Sequence, residues 1–162
     1  MLKNIIKNTD NLQKKMLDTI VKTPLEYNKR LSDKYQANIY LKREDLQITR
    51  SFKIRGAYNK INQIDLDNRN NGIVCASAGN HAQGVTYIAD KFDVPVTIFV
   101  PNKTPIQKIN RIKYFSSDAT TINLVGNNFD ETLKKAFEFC DINKKKFIHP
   151  YDNIQTIIGQ GT

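Results

Sequence analysis

The chain has 162 residues, a formal charge of +9 and 40% apolar residues, which describes one globular core able to bury roughly 70% of the surface its unfolded chain exposes. Its basic residues are scattered, with Lys144-Lys145-Lys146 as the densest run, so neither a basic stripe nor interleaved stacking aromatics point to nucleic acid. No apolar run approaches the roughly 20 residues of a membrane span, and Met1 to Asp10 lacks the apolar stretch of a secretion signal.

In chain order, the first amphipathic stretch runs from about Asp10 to Val21, with Leu12, Met16, Leu17, Ile20 and Val21 on its inner side, and Thr23-Pro24 ends it. A second helical stretch from Tyr27 to Tyr35 leads to a strand at Ile39 to Leu41. Ser51 is a favourable N-cap, and Ile54, Ala57, Tyr58, Ile61 and Ile64 recur at helical spacing, which puts Lys53 in a first helical turn. Strands from Gly72 to Ala76, Val96 to Val100, Thr121 to Val125 and Phe147 to His149 then alternate with helices starting near Asn80, Pro105 and Asn127. The helix after Asn80 carries Ala82, Val85, Ile88, Ala89 and Phe92 on one face, and the last carries Phe129, Leu133, Ala136, Phe137 and Cys140. Short apolar strands alternating with helices specify an α/β fold, a parallel sheet with helices on both faces and right-handed crossovers.

Two cysteines, Cys75 on a strand and Cys140 on an apolar helix face, sit where buried free thiols sit, which points to a reducing compartment and a cytoplasmic chain. With only His81 and His149, far apart in sequence, no metal-ligand spacing is recognisable. His149, beside Pro150 after an apolar strand, reads as structural.

Two segments carry chemistry. In Ser51-Phe52-Lys53-Ile54-Arg55-Gly56-Ala57, the positive end of the helix dipole and Arg55 both disfavour an ammonium on Lys53, and Phe52 helps to desolvate it. An amine made easier to deprotonate forms a Schiff base readily. Read alone, the segment also fits an exposed surface lysine. In Ser77-Ala78-Gly79-Asn80-His81-Ala82-Gln83-Gly84, a strand gives way to small residues and then a helix, so backbone N–H groups point outward and Gly79 lets a ligand approach. Lacking Lys and Arg, the loop would hold an anion through N–H groups, Ser77, Asn80 and Gln83, which suits a carboxylate. A packing glycine with an Asn80 cap is the alternative for this loop taken alone.

With these motifs the chain resembles the pyridoxal-phosphate enzymes of the tryptophan-synthase-β-like fold (fold type II), and within them the threonine dehydratases, or threonine ammonia-lyases. The resemblance begins at Lys22-Thr23-Pro24-Leu25, continues through Tyr40-Leu41-Lys42-Arg43-Glu44-Asp45-Leu46-Gln47 and the two segments above, and reaches Gly159-Gln160-Gly161-Thr162. It implies that Lys53 carries pyridoxal phosphate covalently and acts as the catalytic base, that Phe52 lies against the cofactor ring and that Asn80 bonds its phenolic oxygen. The substrate carboxylate would lie against Ser77, Ala78, Gly79, Asn80 and His81, with Gln83 beside them. The implied reaction converts L-threonine to 2-oxobutanoate and ammonia; L-serine is the alternative substrate, and another β-eliminating enzyme or a non-catalytic fragment the alternative reading. Related serine racemases carry a serine where this chain has Ala78, which favours elimination here, and cysteine-synthase relatives have no counterpart of His81.

The resemblance also implies a division of the chain: residues 1–51 to the larger family domain, 52–150 to the smaller α/β domain, and 151–162 to a return to the larger one. The glycine-rich phosphate loop would then lie beyond Thr162, so the expectation is a truncated chain that holds the cofactor poorly and turns over little. The complete enzyme is expected to be a homo-oligomer.

Overall fold

The computed structural model describes residue 9 and residues 11–162. A short helix, α1, covers 11–15, and hydrogen-bonded turns replace helix from residue 16 onward. Its expected start at Asp10 lies outside the described residues. Leu12, Met16 and Ile20 are buried, but Leu17 and Val21 are 55% and 43% exposed, contrary to the helical reading of that stretch. Helical spacing fails there because the turn over 16–19 rotates those two side chains off the inner face.

An antiparallel ribbon follows, β1 (Leu25–Tyr27) with β2 (Tyr40–Lys42), joined through α2 (Lys29–Tyr35). Tyr27 is therefore in a strand, not a helix, and faces Tyr40 at 5.4 Å between ring centroids. The helix starts later because Asn28 caps it, accepting from the Leu31 N–H at 2.9 Å. A 3₁₀ turn, Glu44–Leu46, leads toward α3 (Lys53–Asn62), and α4 (Leu66–Asn70) follows it.

The main sheet is parallel, in the order β5-β4-β3-β6, from β3 (Ile73–Ala76), β4 (Val96–Val100), β5 (Thr120–Leu124) and β6 (Lys146–Phe147). The helices α5 (Asn80–Lys91), α6 (Ile106–Lys113) and α7 (Phe129–Asn143) connect the strands, and α8 (Ile154–Gln160) closes the chain. Strands β3 and β4 are buried on both faces, which is why they read as continuous apolar runs. Ile73, Cys75 and Ile98 join α1, α3, α5 and α8 in one core, while Val74, Ala76 and Phe99 pack with Ala136 and Cys140 of α7 in another. Both thiols are buried and free, and burial pushes Cys140 up to about 11. Strand β6 stops two residues before His149, and the chain then turns across the end of the sheet. Among the described residues no helix is long and apolar enough to cross a membrane, and no group of three or more His, Cys, Asp or Glu could hold a metal.

α3 lies between α5 and α8 at backbone contact. A Cβ at Gly159 would stand 2.5 Å from the Arg55 carbonyl oxygen and 2.7 Å from Gly56 Cα, and one at Gly84 would stand 3.0 Å from Ile54 N and 3.2 Å from the Lys53 carbonyl carbon. Alanine at Gly159 gains about 1 kcal/mol of helix propensity, yet backbone atoms cannot yield as a flexible side chain can. A Gly159→Ala variant should therefore lose a net of about 1–2 kcal/mol in urea unfolding, whereas Gly79→Ala, with nothing within 4 Å of the added carbon, should stay within about 0.5 kcal/mol of the parent.

Candidate active site

The first turn of α3 carries Lys53 and, just before it, Phe52, which occupies the N-cap position without a side-chain cap bond. Ser51 is thus not the cap its sequence context suggested. The first turn closes on the Phe52 carbonyl, which accepts from Arg55 N–H at 3.0 Å, and the Ser51 hydroxyl is buried without a partner.

Lys53 Nζ donates to the Pro150 carbonyl at 2.8 Å and stands 5.4 Å from the centre of the Phe52 ring. Desolvation by burial holds its amine below the ordinary lysine value. Arg55 contributes nothing comparable. Its guanidinium forms a two-pronged ion pair with Glu44, Nε to Oε2 and Nη2 to Oε1, both at 2.7 Å, in a site where the Arg55 side chain is 5% exposed. Burial works to raise the Glu44 carboxyl, but hydrogen bonds from Arg55 and Thr23 outweigh it and hold the group below the usual carboxylate range. Gln47 completes this cluster, accepting from Val21 N–H at 3.1 Å and donating to Val21 O at 2.8 Å. Glu44 and Gln47 both belong to the sequence block quoted above, but nothing in their spacing announced the partner Arg55.

The facing loop leaves β3 at Ser77, whose N–H reaches Phe99 O at 3.0 Å and whose hydroxyl oxygen accepts from Gly79 N–H at 3.2 Å. Ala78 packs on the core. Space above Gly79 is open, and α5 starts at Asn80 with no side-chain cap. The N–H groups of Asn80, His81 and Ala82 and the exposed Asn80 amide have no hydrogen-bond partner among the described residues, which leaves a positive helix end free for an anion. Gln83 is buried in the same turn.

His81 lies beneath the loop at 3% exposure and gives Nε2–H to the Ile148 carbonyl at 2.8 Å. Because a carbonyl only accepts, this bond fixes the neutral tautomer, and Nδ1 is left buried without a partner. Lys53 and His81 therefore meet the same segment two residues apart, at Pro150 and Ile148. Of the residues singled out in the sequence, Phe52 and Lys53 lie at the start of α3, and Ser77, Ala78, Gly79, Asn80, His81 and Gln83 lie on the loop after β3 and the first turn of α5. Pro150 was missed as the acceptor for Lys53, since a carbonyl acceptor leaves no trace in residue type.

Residues 16–162 match the family described as pyridoxal-phosphate dependent enzyme. The chain is 51% identical over 156 residues to the L-threonine dehydratase biosynthetic IlvA of Staphylococcus saprophyticus, covering 96% of this chain and 37% of that protein. Among solved structures it is similar to the processed form of threonine deaminase isoform 2 from Solanum lycopersicum, at 34% identity and a TM-score of 0.89, covering 99% of this chain and 46% of that one. The serine racemase of Dictyostelium discoideum follows at 32% identity and a TM-score of 0.84, over 96% of this chain and 50% of that one. The chain thus spans between about a third and a half of the length of these relatives.

Burial holds the His81 imidazole down to about 4, with Lys53 and His149 adding to the effect and the Ile148 bond opposing it. A folded value below the unfolded one of about 6.5 means stability that is present above that pH and is lost as pH falls through the folded value, roughly 3 kcal/mol in all. Urea unfolding of the parent should weaken by about that much more than that of His81→Asn between about pH 7 and pH 4. Equal weakening would assign the titration to another group.

Proposed function

The chain belongs to the pyridoxal-phosphate dependent enzyme family, and from that membership we propose that it supplies the lysine wall and the carboxylate loop of a threonine dehydratase. One observation carries the reading: a desolvated amine, Lys53, opens a helix beside a loop that contains no Lys or Arg and has unpartnered N–H groups.

The residues present fit an aldehyde coenzyme. Gly79 leaves open space that a side chain would fill, the Asn80 amide is free for an oxygen of the ring, and the Phe52 ring is 45% exposed beside the Lys53 amine. Lys53 would hold the group covalently, Phe52 would lie along it and Asn80 would bond its ring oxygen. When bound, pyridoxal phosphate supplies a sink for the electron pair left at Cα of an amino acid.

The substrate carboxylate would rest on the N–H groups that open α5, oriented by Ser77 and Asn80, with the buried His81 and Gln83 supporting the turn from beneath. The Lys53 amine, made less basic by burial, would then remove the Cα proton. Ala78 offers no hydroxyl from which a proton could return, which supports loss of the β-hydroxyl, with 2-oxobutanoate and ammonia as products from L-threonine, over racemisation. We assign residues 52–150 to the smaller of two domains on the same family grounds, and place the protein as a homo-oligomer in the cytoplasm, where its free thiols stay reduced.

Borohydride reduction of the chain with pyridoxal phosphate, followed by peptide mass spectrometry, should place the adduct on Lys53. In an enzyme of its relatives' length that carries this segment, Lys53→Ala should lower threonine deamination by more than roughly 10²–10⁴-fold, because base and covalent anchor leave together. An adduct on another lysine, or normal turnover without Lys53, would overturn the assignment.

A further inference from the structure

Three consecutive carbonyls after β6 are each occupied by a side chain from a different helix. His81 of α5 bonds Ile148 O at 2.8 Å, the Thr156 hydroxyl of α8 bonds His149 O at 3.2 Å, and Lys53 of α3 bonds Pro150 O at 2.8 Å. The turn that presents these carbonyls is closed by the ring of His149 itself. Its Nδ1 accepts from Asp152 N–H at 2.8 Å and from Tyr151 N–H at 3.3 Å. Tyr151 stands edge-on to the ring at 4.8 Å between centroids, and Phe147 at 6.0 Å. Downstream, the Asn153 side chain caps α8 by accepting from the N–H groups of Gln155 and Thr156, which anchors the far end of the turn.

From this geometry we propose that His149 is a positioning residue for Lys53: its neutral imidazole holds the Tyr151–Asp152 turn and thereby fixes the Pro150 carbonyl at the lysine amine. The inference deepens the reading of Lys53 as the cofactor lysine and takes its functional meaning from it, but the contacts it invokes concern the amine alone. His149 itself touches no reacting atom. A lysine side chain has many rotamers, and a fixed acceptor within the site selects one of them. Nδ1 serves two N–H donors only while it is unprotonated; once it carries a proton it becomes a third donor against them, and the turn loses its closure.

The titratable groups around the ring are Tyr151 and Asp152 on its own turn, His81 on α5 and Lys53 at the neighbouring carbonyl. Burial holds His149 below the ordinary histidine value, and the Asp152 carboxylate opposes it in part. The closed turn therefore prevails at neutral pH and opens on the acid side of about 6.5.

The test is competitive trace acetylation of the chain across pH with lysine-by-lysine mass spectrometry, alongside nuclear magnetic resonance titration of the His149 ring. In the parent, Lys53 reactivity should show an acid-side inflection that coincides with His149 titration. His149→Asn places an amide oxygen where Nδ1 stood, accepts the same two N–H groups and does not titrate. It should keep neutral-pH reactivity within about twofold, well under half a pKa unit, and lose the inflection. His149→Ala should cut Lys53 labelling near neutral pH by about threefold or more, as the released amine reverts toward ordinary basicity.

Retention of the inflection in His149→Asn, or a parent profile with none, overturns the proposal even if His149→Ala fails to fold. Trapping with pyridoxal phosphate and borohydride separates the two readings. No adduct on Lys53 with the acetylation pattern intact defeats the cofactor assignment and leaves the positioning role standing, and an adduct on Lys53 with no His149-linked inflection does the reverse.

Discussion

Two glycines bring helix backbones into contact around the start of α3, and the rest of the site follows from that approach. Gly159 lets α8 meet the backbone of α3 at Arg55 and Gly56, and Gly84 does the same for α5 at Lys53 and Ile54. Gly56 makes room instead for an α8 side chain: a Cβ there would fall 2.5 Å from the Gln160 amide nitrogen, and Gly56 N–H donates to Gln160 Oε1 at 3.2 Å. The consequence lies at Lys53, whose own carbonyl carbon is one of the atoms against Gly84. With its backbone pinned on that side, the amine reaches the carbonyl of Pro150, 97 residues further along the chain.

Charge placement fixes the same turn from the N-terminal side. Arg55, two residues after Lys53, is held by Glu44 in a planar two-pronged pair, and Thr23 and Gln47 take up further lone pairs of the carboxylate. Removing one partner of such a buried pair typically costs about 3–5 kcal/mol, because the other charge is left without compensation. The Glu44 carboxyl is depressed, so its share of stability is present above the unfolded carboxylate value and disappears as pH falls through the folded one. The pair also removes Arg55 as an electrostatic influence on Lys53, leaving burial as the cause of the weakened base.

Much of this was legible in residue order wherever burial and periodicity agree. α3 and α5 show it best: Ile54, Ala57 and Ile61, and Ala82, Val85, Ile88 and Ala89, are fully buried at helical spacing, and β4 runs from Val96 to Val100 as read. The reading failed where apolar residues are not buried. Leu17, Val21 and Tyr27 are exposed, so their apolar character carried no information about a helix face. The second helix could have been placed better, since Asn28 is a strong capping residue directly before it. In the last long helix, Phe137 lies on the predicted apolar face but is 41% exposed. Beyond recognition of the motifs, the site's polar connections are long-range, joining Lys53 to Pro150, His81 to Ile148 and Arg55 to Glu44. Such pairings are set by the tertiary approach of helices and have no signature in local spacing.

The central claim is that backbone contact at Gly84 seats Lys53 where burial weakens its amine. Its most direct measurement is the Lys53 titration followed by nuclear magnetic resonance of selectively ¹³C-labelled lysine in the parent chain and in Gly84→Ala. The account predicts that Lys53 titrates below the ordinary lysine range in the parent and returns toward it when the added methyl group pushes the first turn of α3 away. A Lys53 that titrates in the ordinary lysine range in the parent, or that stays equally depressed in Gly84→Ala, would contradict it.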